Sequence, residues 1–182
     1  MKNILTEMHV KALFEQYYIA LVEFSWHIVK CRDTASDIVQ DTFVKVLERL
    51  EELPSQEKAL KSYLYSSVRN ISLNHIRHQK IADGYQKSNE WNEMDETYIL
   101  DAMIYAETVN NLHKAIKTLP KSCQEVCKLT YLEGKSNSEA AELCGVSINT
   151  IKTQKRRSVE LLRHRLAPIF HSLKAFVLFF FG

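Results

Sequence analysis

Lys135-Ser136-Asn137-Ser138-Glu139-Ala140-Ala141-Glu142-Leu143-Cys144-Gly145-Val146-Ser147-Ile148-Asn149-Thr150-Ile151-Lys152-Thr153-Gln154-Lys155-Arg156-Arg157 reads as a helix, a tight turn and a second helix. Ser136 with Glu139 three residues on has the spacing of a capping box. Ala140, Leu143 and Cys144 supply a short apolar face. Gly145 falls where the first helix stops, at a left-handed position that glycine takes without a Cβ penalty. Ser147 caps the second helix. Ile148, Ile151, Leu162 and Leu166 lie near one face of it, and Asn149, Lys152, Thr153 and Arg156 fall together on the other. Lys155 points toward the apolar side, where its aliphatic stem can pack. A short helix, a Gly turn and a basic helix form the pattern of a DNA-reading helix-turn-helix. A helical hairpin with a solvated basic face is the alternative.

Outside this stretch the 182-residue chain has 4 Gly and 3 Pro, which favours helices, and no long strict alternation marks a strand. Its net charge of +2 is unevenly spread. Residues 1–81 carry 11 Lys/Arg and 10 Asp/Glu, residues 82–106 carry 1 and 6, and residues 107–182 carry 12 and 6. A neutral part, an acidic bridge and a basic part predict two domains and a linker, with the last part aimed at a polyanion. Cys31, Cys123, Cys127 and Cys144 show no disulfide spacing and follow no secretion signal, so a reduced, cytoplasmic protein is expected. His27/Cys31 and Cys123/Cys127 each have helical i, i+4 spacing, but neither has the second pair a closed zinc site needs. Buried core thiols are the expectation, with no metal and no cofactor.

Along the chain, residues 8–30 predict a core helix carrying Leu13, Phe14, Tyr17, Tyr18, Leu21, Phe24, Trp26 and Ile28. A helix from Asp33 or Thr34 to about Leu50 has Ile38, Val39, Phe43, Val46, Leu47 and Leu50 on one stripe. Asp37, Gln40 and Asp41 form an acidic and amide cluster on its other face, suited to a basic partner. A loop around Pro54 leads to a helix over residues 61–81, packed through Tyr63, Leu64, Val68, Ile71 and Ile76. Arg69, Asn70, Asn74 and Arg77 give that helix the side-chain types that meet bases and phosphates. Residues 107–119 and 122–131 predict two more helices, broken at Leu119-Pro120. The tail ends in Phe176-Val177-Leu178-Phe179-Phe180-Phe181, too short to span a bilayer. No nucleophile elbow, phosphate-cradling Gly loop or carboxylate cluster is present, so no catalytic residue is assigned.

Three segments, taken in order, resemble bacterial sigma factors. Asp37-Ile38-Val39-Gln40-Asp41-Thr42-Phe43 is similar to their D-x-x-Q-acid-x-F segment. Tyr63-Leu64 with Arg69-Asn70, Asn74 and Arg77 is similar to their Y/W-L…R-N…N/D-x-x-R helix. Leu119-Pro120, Glu125-Val126 and Tyr131-Leu132-Glu133-Gly134 are similar to the lead-in of their C-terminal helix-turn-helix. The short length resembles the extracytoplasmic-function (ECF) group. Asn137, Ala140 and Lys155 depart from the family's usual, more apolar residues.

The resemblance implies an all-α fold of two small helical domains joined by an acidic linker. Sigma domain 2 would occupy 1–81, the linker 82–106, and sigma domain 4 with its Phe-rich tail 107–182. The implied partners are core RNA polymerase, promoter DNA and an anti-sigma factor, without stable membrane insertion. The resemblance assigns Asp37, Gln40 and Asp41 to the polymerase, and Arg69, Asn70, Asn74 and Arg77 to the −10 element. It assigns Asn149, Lys152, Thr153, Lys155, Arg156 and Arg157 to the −35 element, and threads the acidic linker through the polymerase's nucleic-acid channel. A repressor using the helix-turn-helix alone would leave the Arg-Asn helix unexplained. A membrane-associated protein anchored by the Phe-rich tail is a rival of another class.

Overall fold

The computed structural model describes the backbone of residues 7–54, 56–82 and 96–181 and the side chains of residues 9–54, 56–81 and 96–168. Residues 83–95, most of the acidic linker, lie outside them, as do the side chains of the Phe-rich tail. The described residues are helical: α1 (Glu7–Val29), α2 (Arg32–Glu48), a 3-10 turn (Leu50–Glu52), α3 (Glu57–Ala82), α4 (Glu96–Lys117), α5 (Lys121–Cys127) running into a π turn (Lys128–Leu132), α6 (Asn137–Cys144) and α7 (Ile148–Phe181). They form two compact units, Met1–Asn110 and Asn111–Gly182.

In the first unit, Val10, Leu13, Tyr17, Leu21, Phe24 and Ile28 recur at three- and four-residue steps and make the inner stripe of α1. They meet Ile38, Val39, Phe43 and Val46 of α2 and Leu60, Leu64 and Val68 of α3. Each large side chain buried here contributes about 1.5–3 kcal/mol. Inside the core the Ser25 and Ser72 hydroxyls pair with each other, 2.9 Å apart across α1 and α3. The α1–α2 turn is made by Lys30 at φ 61°, a left-handed position that costs a non-glycine residue energy. The side chain of Lys30 is tied down, with Nζ donating to the Tyr98 hydroxyl at 2.9 Å. Cys31 at the same turn is exposed, against the expectation of a buried thiol.

The first half of α4 belongs to this unit, although residues 96–106 read as linker. Ala102 and Ala106 are buried in the core and let the helix backbone approach closely. Around them, Tyr65 donates to Glu107 at 2.5 Å, Lys61 pairs with Glu107 at 2.9 Å, and Asn110 donates to the Gln16 carbonyl at 3.0 Å. Tyr98 donates to the His27 carbonyl at 2.6 Å. The division at Asn110 therefore falls later than the 106/107 boundary drawn from charge.

The second unit is organised around α7. Leu119, Cys123 and Cys127 pack with Leu161 and Leu162, which bears out the core reading of these two thiols. Val126, Ala140, Ala141 and Ile151 make an adjoining cluster. α7 runs through Pro168 to Phe181, so the tail continues the helix. Other expectations need correction. α3 begins at Glu57, which shortens the loop around Pro54. Leu47 is 44% exposed, Leu143 63% and Ile148 45%, so none of them packs as the stripes suggested. Each sits about 100° or less from a buried stripe, at an edge the neighbouring helices do not reach.

Candidate nucleic-acid interface

The helix-turn-helix is built by local chemistry. The Ser136 Oγ accepts from the Glu139 backbone N–H at 3.2 Å, and the Glu139 carboxylate accepts from the Ser136 N–H at 2.8 Å. Hydrogen bonding from the Ser136 side chain, and then from its backbone N–H, holds the Glu139 carboxyl below its ordinary range. Gly145 ends α6 at φ 64°, with its N–H reaching the Glu142 carbonyl at 3.2 Å. The Ser147 Oγ then accepts from the Thr150 N–H at 3.1 Å and starts α7. Ile151 is fully buried against Val126, Ala140 and Ala141, which turns the opposite face of α7 outward. Asn149, Lys152, Thr153, Arg156 and Arg157 are all exposed there. Asn149, Lys152, Thr153 and Arg156 share one surface at the start of the helix, the part that reaches base edges when such a helix enters a major groove.

Lys155 is placed differently. It is half-buried, with Nζ 3.3 Å from the Asn137 Oδ1 and 4.7 Å from the centre of the Tyr131 ring.

In the first unit, α3 presents Asn70, Asn74 and Arg77 on one exposed face. Arg77 donates to the Asn74 Oδ1 at 3.2 Å. Arg69 is off this face: it is half-buried, and its Nε is buried without a hydrogen-bond partner among the described residues. On α2, Asp37, Gln40 and Asp41 are exposed together. The surface beside them includes Val44, 52% exposed, and Leu47. Sequence reasoning passed over Val44. Its signal was a position next to Phe43, one helical step outside the buried stripe. Among the described residues no three His, Cys, Asp or Glu side chains gather as a metal site would need.

Two family models match this architecture, sigma-70 region 2 over residues 13–81 and sigma-70 region 4 over residues 110–162. Together they cover about two thirds of the chain. The chain belongs to the extracytoplasmic-function sigma factor family. The ECF RNA polymerase sigma factor BldN of Streptomyces coelicolor is 26% identical over 161 residues, 86% of this chain and 59% of BldN. The RNA polymerase sigma factor SigZ of Bacillus subtilis is 24% identical over 166 residues, 90% of each chain. SigV of the same organism is 28% identical over 138 residues, 76% of this chain and 79% of SigV. Among solved structures, CnrH in complex with the cytosolic domain of CnrY covers 90% of each chain at 19% identity, with a TM-score of 0.36. Sigma factors are not themselves enzymes, and the all-α fold in two helical clusters corresponds to the two matched regions. The second match begins at residue 110, beside the division between the two units.

Proposed function

We propose that this ECF sigma factor binds core RNA polymerase, recognises −10 and −35 promoter elements and assists strand opening. The observation that carries the reading is the outer face of α2. There Val44 and Leu47 stay exposed beside Asp37, Gln40 and Asp41, on a helix whose other side is fully packed. An apolar pair next to acidic and amide groups suits a protein partner with a basic rim. A repressor that used the helix-turn-helix alone would have no use for it.

On this reading Asn70, Asn74 and Arg77 hold the opened −10 strand, and the amide donors of Asn74 meet base acceptors. Arg69 adds positive charge behind them. Asn149, Lys152, Thr153 and Arg156 read the −35 element, and Arg157 meets phosphate at the margin. The acidic residues of 82–106 follow the polymerase's nucleic-acid channel. An anti-sigma factor and a cytoplasmic location, without stable membrane insertion, complete the proposal. No described helix is long and apolar enough to cross a membrane.

Run-off transcription with core polymerase is the test. The wild-type chain should confer promoter-specific initiation, and Asp41→Lys should weaken core binding in a titration while circular dichroism stays unchanged. Unaltered core affinity would remove α2 from the interface, and failure of the wild-type chain to direct initiation would overturn the function.

A further inference from the structure

On α7, Lys155 stands four residues after Ile151 and three before Ser158, both fully buried, so it lies over the inner side of the recognition helix. A lysine there would ordinarily extend to water. Instead its ammonium lies over the Tyr131 ring of the π turn, 4.7 Å from the centroid. It also donates to Asn137, the first residue of α6, at 3.3 Å. One cation thus joins three consecutive elements of the helix-turn-helix. Among the described residues no carboxylate pairs with it.

Two further polar ties hold the same side of α7. The Cys123 thiol donates to the Gln154 Oε1 at 3.0 Å, and the Ser158 hydroxyl lies 3.4 Å from the Cys123 carbonyl. Those ties hold α7 to α5, and the Lys155–Asn137 hydrogen bond holds it to α6. The apolar contact between α6 and α7 is made by small side chains, Ala140 and Ala141 with Cys144 at the edge, against Ile151. Small apolar contacts tolerate rotation, whereas a directed hydrogen bond and a ring face do not.

We propose that Lys155 is a positioning residue: held between Tyr131 and Asn137, it sets the roll of the recognition helix and does not itself touch DNA. The proposal rests on the −35 reading above, because the roll decides which bases Asn149, Lys152 and Arg156 can reach. It also removes Lys155 from the set of residues assigned to contact the −35 element.

The three possible roles leave different signatures. A lost phosphate contact lowers the salt slope of binding by about one and leaves base preference intact. A lost base contact relaxes preference at one position. A lost roll constraint relaxes several positions together at unchanged salt slope. The experiment measures binding of the full chain, in complex with core polymerase, to single-base −35 variants at several salt concentrations. Lys155→Met keeps the stem and removes the charge. Discrimination should fall about threefold to fivefold at more than one position, the scale of one partly exposed cation–π contact. Lys155→Arg should restore it, since a guanidinium can both stack and donate. Adding Asn137→Ala to Lys155→Met should cost nothing more. A slope lowered by about one with preference intact would overturn the proposal. So would relaxation at a single position, or additive losses from Asn137 and Lys155. Failure of the wild-type complex to discriminate between −35 variants would overturn the −35 reading, and the positioning role with it.

Discussion

Ile151→Ala tests whether the second unit stands on one side chain. Ile151 is fully buried, and its neighbours in the cluster are Val126 and two alanines, with Leu129 and Cys144 at the edge. Alanines cannot move inward to fill the space an isoleucine leaves, so the cavity term should be felt nearly in full. Isoleucine-to-alanine changes in such sites cost about 2–5 kcal/mol, and the upper half of that range is expected here. A unit of about 70 residues has a total stability of roughly 4–10 kcal/mol. The substitution should therefore remove a third or more of it. Ile151→Val, which removes one methyl group, should cost only about 0.5–1.5 kcal/mol. The chain offers an internal control, because both its tryptophans, Trp26 and Trp91, precede residue 107. Urea unfolding followed by far-ultraviolet circular dichroism reports on all the helices, whereas tryptophan fluorescence reports on the first part alone. Ile151→Ala should bring one circular dichroism transition to lower urea and leave the fluorescence midpoint where it was. A loss below about 1 kcal/mol, or an equal shift in both signals, would refute the argument that Ile151 carries this cluster.

Ser136→Ala should destabilise the second unit by about 1 kcal/mol through loss of the N-cap acceptor, measured by the same dichroism transition. The Glu139 carboxyl is held low in the fold, so its contribution is present above the ordinary glutamate value of 4.5 and is lost as pH falls below it; Glu139→Gln should flatten that part of the pH profile. Burial and then Lys30 hold the His27 imidazole below 6.5, so the first unit should lose stability as pH falls beneath that value, and fluorescence-monitored unfolding of His27→Gln should lack the dependence. Glu107→Ala strands the buried Tyr65 hydroxyl and should cost about 1–3 kcal/mol in the fluorescence transition, with a smaller loss in a Tyr65→Phe background.

The features of this chain that sequence made readable are those whose partners lie within a turn of each other. Ser136 and Glu139, Ser147 and Thr150, and Gly145 each satisfy backbone groups of their own segment, and the structure has them in those roles. The exposed face of Asn149, Lys152, Thr153 and Arg156 followed from the same local geometry. The start of α4 was not readable, because its docking surface is made of Ala102 and Ala106. A search for large apolar residues at helical spacing passes over alanines, whose value lies in allowing close approach. The partner of Lys155 was equally hidden, since Tyr131 stands in a different element and meets it only through the fold. Leu47 and Leu143 were misread because a helical wheel gives direction without saying how far the neighbouring helix extends.

The seam within α4 bears on how such chains can be recombined. Ala102, Ala106, Glu107 and Asn110 are fitted to Tyr65, Lys61 and Gln16, so in an evolving lineage they should be inherited with the first unit. A chimera that exchanges promoter-reading halves between two family members by cutting in the acidic stretch would graft a foreign helix onto this surface. It would leave the Tyr65 hydroxyl facing a stranger's side chain. A cut just after Asn110 keeps every one of these contacts native and transfers the helix-turn-helix whole.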